Sequence, residues 1–190
     1  MTVSQLLAAI ASPNPTPGGG TAAAIAGAMG TSLLLMVAGL TKSRNNTDDA
    51  KAALAGAKAA IEPITTRLAA LADADAASFD AVMAAYRLPK ASDDEKAART
   101  RSIQSALKGA TEVPLETLRA CANALAHSKA VVDFGNASAD SDVGVAIGLL
   151  KAAAAGAAAN VRTNLGGLKD EAFTSATEAE TSRLLAAALG

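Results

Sequence analysis

"PNPTPGGGTAAAIAGAMGTSLLLMVAGLT", residues 13–41, decides the fold. Three prolines at alternate positions stiffen the chain, three glycines then free it, and from Thr21 to Thr41 no residue carries a charge. The uncharged run reaches the roughly 20 residues that cross a bilayer, with Lys42 and Arg44 directly behind it. Much of it, however, is Ala, Gly, Ser and Thr, which are poor membrane residues. Ala23, Gly27 and Gly30 form a small-residue face suited to close helix packing. A helix apolar on all sides is also what the centre of a bundle requires. The stretch is therefore expected to be a buried central helix over about 19–41, and not a membrane span.

The whole chain is consistent with that reading. At 190 residues it is long enough for one large core, burying roughly 70% of its unfolded surface. With 17 basic and 18 acidic residues the net charge is −1, so there is no electrostatic case for a nucleic-acid partner. A single cysteine excludes a disulfide framework or a cysteine-built metal site, and a single histidine excludes most zinc constellations. With no Trp, one Tyr and three Phe, the core has to come from close approach of helices, because alanine fills little volume. Any catalysis falls to Asp, Glu, Lys, Asn and the backbone. The opening "MTVSQLLAAIAS" has neither the basic region nor the apolar core of a secretory signal, so a cytoplasmic protein is expected.

Helical periods dominate and no strand alternation appears. A short helix over about 3–11 leads through the Pro/Gly segment into the central helix. "KSRNNTDD" (42–49) connects to a long helical pattern over about 48–87, with Pro63 expected to kink or divide it. Ser92 and Glu95 form a capping box for the next helix, which runs to about 133 with Pro114 as a second kink or break. Gly135 ends it, a further helix covers about 141–165, and Thr177 with Glu180 is expected to cap the last. The expected fold is all-α: one domain over 1–190, a bundle of long, kinked helices around an Ala/Gly-rich central helix.

Two places break the apolar pattern. Ile61, Ile64, Leu68 and Leu71 recur at three- and four-residue steps as a buried stripe. The next position on it is Asp75, after which Phe79 and Val82 resume the stripe. A carboxylate there is costly unless paired, hydrogen-bonded or protonated, so it either serves a structural partner or does chemistry. Asp73 and Asp80 lie off the stripe and read as solvated. The second break is "NASADSDVGVA" (136–146), where Asp140, Ser141 and Asp142 gather at a helix start, more acid than a cap uses. The glycines at 18–20 lack a following Lys-Ser/Thr and a preceding strand, so they form neither a Walker loop nor a dinucleotide fingerprint. They allow either close approach of a ligand to a helix N-terminus or clearance for a neighbouring helix. Asn160 and Asn164 share a face, but 18 residues of helix, about 27 Å, separate Asp142 from Asn160. A long ligand, a second subunit, or helix-to-helix bonding by the asparagines would each account for that, and bonding is expected.

"PTPGGGTAAAIAGAMG" (15–30), "DADAASFDAVMAAYRLPK" (73–90), "DEKAAR" (94–99), "EVPL" (112–115) and "GNASADSDVGVA" (135–146) together resemble the cyclodeaminase/cyclohydrolase family. That family includes the C-terminal domain of formiminotransferase-cyclodeaminase and the stand-alone bacterial methenyltetrahydrofolate cyclohydrolases. The resemblance runs in order from about Val3 to Asp170. It implies an all-helical homodimer that binds tetrahydrofolates, with no metal and no cofactor beyond the folate itself. It carries substrate contact to Gly18, Gly19, Gly20, Lys90, Asn136 and Ser141, and catalysis to Asp75 and Asp142. Related sequences usually have a basic run after the central helix; here only Lys42 and Arg44 remain, which weakens the case for contacts to a polyglutamate tail. With no formiminotransferase segment in this sequence, hydrolysis of 5,10-methenyltetrahydrofolate is the favoured reaction. Formiminotetrahydrofolate cyclodeamination is the alternative, and a non-catalytic folate-binding or membrane-associated module is a third.

Overall fold

The computed structural model describes residues 1–40 and 42–190, so the expected extension of the central helix to position 41 lies outside the described residues. Six α-helices follow one another: α1 (Val3–Ala11), α2 (Gly19–Ala38), α3 (Asp48–Tyr86), α4 (Asp93–Phe134), α5 (Asp140–Leu165) and α6 (Glu171–Leu189). A 3-10 turn at Ala137–Ala139 joins α4 to α5. Among the described residues there is no strand.

Small residues put α2 at the centre. A Cβ added at Gly27 would stand 3.0 Å from Cys121 Sγ of α4 and 3.2 Å from Leu68 of α3. One added at Gly30 would meet the Ala146 carbonyl of α5 at 2.8 Å, a backbone atom with little freedom to yield. The register is antiparallel on both sides. Along α5, Gly30 lies by Ala146 and Leu150, Ala23 by Gly156 and Gly19 by Asn160. Along α3, Gly27 lies by Leu68 and Gly20 by Asp75. The Cys121 thiol caught in this packing has its pKa pushed up by burial to about 12, which leaves it inert as a nucleophile.

The expected burial of α2 holds on three sides only. Nine of its 20 residues are buried, while Met29 is 54% and Met36 45% exposed. With Ile25, Leu33, Ala69 and Ala72 they line an open apolar groove between α2 and α3. By length and composition, Gly19–Ala38 and Ala137–Leu165 could each cross a membrane. Their inner faces are instead spent on the shared core, where Ala24, Leu34, Leu150 and Ala154 are fully buried.

Neither proline divides its helix. Pro63 is on the exposed side, where water can take the Ala59 carbonyl that the missing N–H leaves free. Pro114 is buried, and the Ala110 carbonyl it frees accepts instead from Asn164 Nδ2 of α5 at 2.7 Å. The expected cap at Thr177 and Glu180 is wrong. Helix α6 starts earlier, where the Asp170 carboxylate accepts from the Phe173 N–H at 3.0 Å. Thr177 is buried inside that helix, and Glu180 forms a fork with Arg119 of α4 at 2.8 and 2.7 Å. Arg119 hydrogen bonding holds the Glu180 carboxyl below its ordinary pKa, and Arg67 does the same for Glu116 between α3 and α4. The Ser92–Glu95 capping box forms as expected.

Candidate active site

The apolar stripe of α3 leads straight to a cavity. Ile61 and Leu68 are fully buried and Leu71 nearly so, but at Asp75 the stripe leaves the core and becomes a wall. The cavity, about 210 Å³, lies where the N-terminus of α2 meets α3, α4 and α5. Pro15, Thr16 and Gly18 of the segment before α2 line it, with Gly19 and Gly20 of its first turn. Asp75, Ser78, Phe79 and Val82 come from α3, Leu107 and Ala110 from α4, and Asn160 and Asn164 from α5.

Asp75 is half-buried and held from two directions. Thr21 Oγ1, itself almost fully buried, donates to Asp75 Oδ2 at 2.9 Å. The other oxygen rests over Gly20, where an added Cβ would fall 2.1 Å from Oδ1. The carboxylate thus sits at the N-terminal end of α2, against its first turn. Gly18 offers no side-chain cap, so the first-turn N–H groups of α2 are left without one.

The glycines at 18–20 now divide by role. Gly20 clears space for the Asp75 carboxylate. At Gly19 a Cβ would meet only the Asn160 amide, Nδ2 at 3.6 Å and Oδ1 at 4.0 Å, ordinary contacts, so that position is open on the cavity side. Gly20→Ala is expected to displace the Asp75 carboxyl, lowering kcat by at least about tenfold while the protein still folds, since the crowded atoms end a side chain. Gly19→Val should leave the melting temperature near wild type and weaken substrate binding by covering the floor. Paired thermal melts and steady-state kinetics check both; a collapse in stability for Gly19→Val with unchanged KM would return that glycine to helix clearance.

Asn160 and Asn164 serve packing and cavity together. Asn164 bonds α5 to α4 as described, while Asn160 Nδ2 donates to Gly156 O of its own helix at 2.8 Å. The expectation of bonding between helices therefore holds for Asn164 and not for Asn160. That both also line the cavity was missed in the sequence, as were the lining residues Ser78 and Leu107 and the Asp75 partner Thr21. The signal for Thr21 was its place directly behind the glycines; Leu107 gave none.

The remaining candidates lie elsewhere. Lys90 is exposed in the turn between α3 and α4 and does not line the cavity. Asn136 Oδ1 accepts from the Ser138 N–H at 2.9 Å and caps the 3-10 turn. Ser141 is exposed and Asp142 half-buried in the first turn of α5. Nearby, Arg44 pairs with Asp140 and its N–H bonds the Phe134 carbonyl at 3.2 Å. Gly135 packs on Val37, so this polar corner belongs to the C-terminal end of α2, opposite the cavity. Within one chain, then, Asp75 is not brought together with Asp142, Ser141 and Asn136, because α5 runs antiparallel to α2 and holds the two groups towards its opposite ends. Among the described residues no three His, Cys, Asp or Glu side chains gather as a metal site.

Residues 2–183 match the family model described as formiminotransferase-cyclodeaminase. A methenyltetrahydrofolate cyclohydrolase of Methylorubrum extorquens is 43% identical over 187 residues, covering 98% of this chain and 90% of that protein. The formimidoyltransferase-cyclodeaminase of Gallus gallus is 31% identical over 93% of this chain, which spans only 33% of that longer protein. The crystal structure of formiminotetrahydrofolate cyclodeaminase from Thermotoga maritima superposes with a TM-score of 0.86 at 29% identity, covering 99% of this chain and 90% of that one. With sequence and backbone matching from the first helix to the last, the chain belongs to the formiminotransferase-cyclodeaminase family.

Proposed function

We infer that the protein hydrolyses 5,10-methenyltetrahydrofolate to 10-formyltetrahydrofolate in the cavity at the N-terminus of α2. The observation that carries this is Asp75, a carboxylate fixed by Thr21 and Gly20 on the wall of the pocket and, among the described residues, its one charged side chain. Support comes from the 43% identical relative named for that activity. The methenyl carbon bridges N5 and N10 and shares a positive charge with them. A carboxylate beside it stabilises that charge and accepts a proton from attacking water. Water oxygen bonds to the bridge carbon, one of its protons passes to Asp75, and a tetrahedral carbinolamine results. The carbon–N5 bond then breaks, the hydroxyl proton leaves as the formyl C=O forms, and N5 takes up a proton. One proton is released overall. The reading calls for no metal and no cofactor beyond the folate substrate.

A second reading has a specific basis in the likeness to the Thermotoga maritima cyclodeaminase. There N10 attacks the formimino carbon of 5-formiminotetrahydrofolate, ammonia leaves, and the same methenyl compound forms. Both reactions pass a tetrahedral carbon and require a proton to move, so one pocket serves either.

In both readings the protein is a cytoplasmic homodimer. The exposed groove of α2 and α3 around Met29 and Met36 offers an apolar surface for a twofold contact. A second subunit also supplies what one protomer lacks: the Asp142 corner of the partner, with Asn136 and Ser141, set against the Asp75 cavity. Asp142 would then stabilise the cation or return the proton to the departing nitrogen. Lys90 offers an exposed cation to the glutamate tail, single or polymeric, beyond the cavity mouth.

The test is to incubate purified protein separately with the two folates and follow the methenyl absorbance. Hydrolase activity makes it fall from 5,10-methenyltetrahydrofolate faster than in buffer. A rise from the formimino compound, with no such fall, selects the deaminase. Binding without either change contradicts both enzymatic readings. Light scattering without detergent should report a dimer, and a stable monomer would remove the shared site.

A further inference from the structure

We propose that Asn160 and Asn164 act as a paired acceptor that selects the N–H-rich edge of the pteridine ring, an inference that rests on the folate reading above. Each amide has its nitrogen committed to a carbonyl, Asn160 to Gly156 O at 2.8 Å and Asn164 to Ala110 O at 2.7 Å. A carbonyl can only accept, so these bonds fix which end of each amide is nitrogen. The two Oδ1 atoms are what remains for the cavity. Among the described residues neither has a hydrogen-bond partner, and neither is sealed from solvent.

The device is built into the helices. Pro114 has no N–H to give the Ala110 carbonyl, and that vacancy claims the Asn164 nitrogen and leaves its oxygen free. Asn160 and Asn164 stand one turn apart on α5, and both line the cavity. Gly19 lies against the Asn160 amide, where an added Cβ would stand 3.6 Å from Nδ2 and 4.0 Å from Oδ1, so the glycine keeps the amide clear of a neighbouring side chain. A wall of amide oxygens matches a ligand edge that presents donors. The reduced 2-amino-4-oxopteridine has three kinds, the 2-amino group, N3–H and N8–H, whereas its one-carbon bridge has none. The pair therefore sorts the ring from the bridge: the asparagines hold the ring while Asp75 faces the reacting carbon. An amide oxygen also discriminates sharply, since a ligand lacking the donor leaves it desolvated and unpaired.

The probes are 5,10-methenyltetrahydrofolate and its analogue with hydrogen in place of the 2-amino group. Wild type should favour the amino compound by about tenfold or more in kcat/KM. Asn160→Leu should raise KM for the amino compound by about tenfold, with the loss in KM and not in kcat, and erase the preference. Asn164→Leu alone should also melt early, because it orphans the Ala110 carbonyl. Pro114→Ala with Asn164→Leu restores an N–H to that carbonyl, so the double variant should regain its melting temperature and still lack the preference. If wild type is active yet both Asn160→Leu and the double variant keep the full preference, the acceptor role is overturned while the function stands. A wild type that neither binds nor converts either folate overturns the function and this inference together.

Discussion

Asp75→Asn is expected to fold, to bind tetrahydrofolate, and to lose roughly 10²–10⁴-fold in kcat, the usual contribution of a positioned acid or base. The substitution keeps shape and polarity, and the Thr21 hydroxyl at 2.9 Å can still donate to the amide oxygen. It removes the charge and the proton-accepting oxygen. If Asp75 only neutralised a structural neighbour, stability would drop and activity per folded molecule would survive. If it instead anchored the pteridine ring, the change would appear in KM. Asp80→Asn supplies the control, because Asp80 is exposed on α3 and lines no part of the cavity.

The second large effect is a recovery. Asp142→Asn is expected to be impaired as severely as Asp75→Asn if the cavity is completed by a second subunit. Co-expressed or unfolded and refolded together, the two inactive variants should regain activity, because each mixed dimer then has one site with both aspartates. Random pairing of equal amounts predicts about a quarter of wild-type activity, half the dimers being mixed and each having one good site in two. Steady-state turnover against mixing ratio measures it. No recovery on verified mixing would confine the reaction to one protomer and remove Asp142 from it.

Much of the architecture could be read before any coordinates. The uncharged stretch after Gly20, the helical periods and the Ser92–Glu95 box led to the bundle, its centre and most helix ends. The errors came where long-range packing overrode local signals. Thr177 and Glu180 carry a capping pattern, but both are spent on tertiary contacts, and Asp170 caps the helix about two turns earlier. Pro114 looks like a break because the rescuing donor, Asn164, is fifty residues away in sequence and adjacent only in space. Asp75 was legible as a candidate because a carboxylate on an apolar stripe is costly. Asn160 and Asn164 were not, since their place opposite Gly19 depends on the antiparallel register of α2 and α5, which is set by small residues meeting along 15 Å or more of helix. The same register shows why Asp142 cannot join Asp75 in one chain.

The most direct test is a crystal structure of the Asp75→Asn variant soaked with 5,10-methenyltetrahydrofolate, which that slow variant should preserve. The account predicts the pteridine in the cavity at the N-terminus of α2. Its bridge carbon should lie within about 4 Å of the residue-75 side chain, and its amino edge should face the amides of Asn160 and Asn164. Folate bound instead in the groove of Met29 and Met36, or with its bridge carbon remote from position 75, would contradict it.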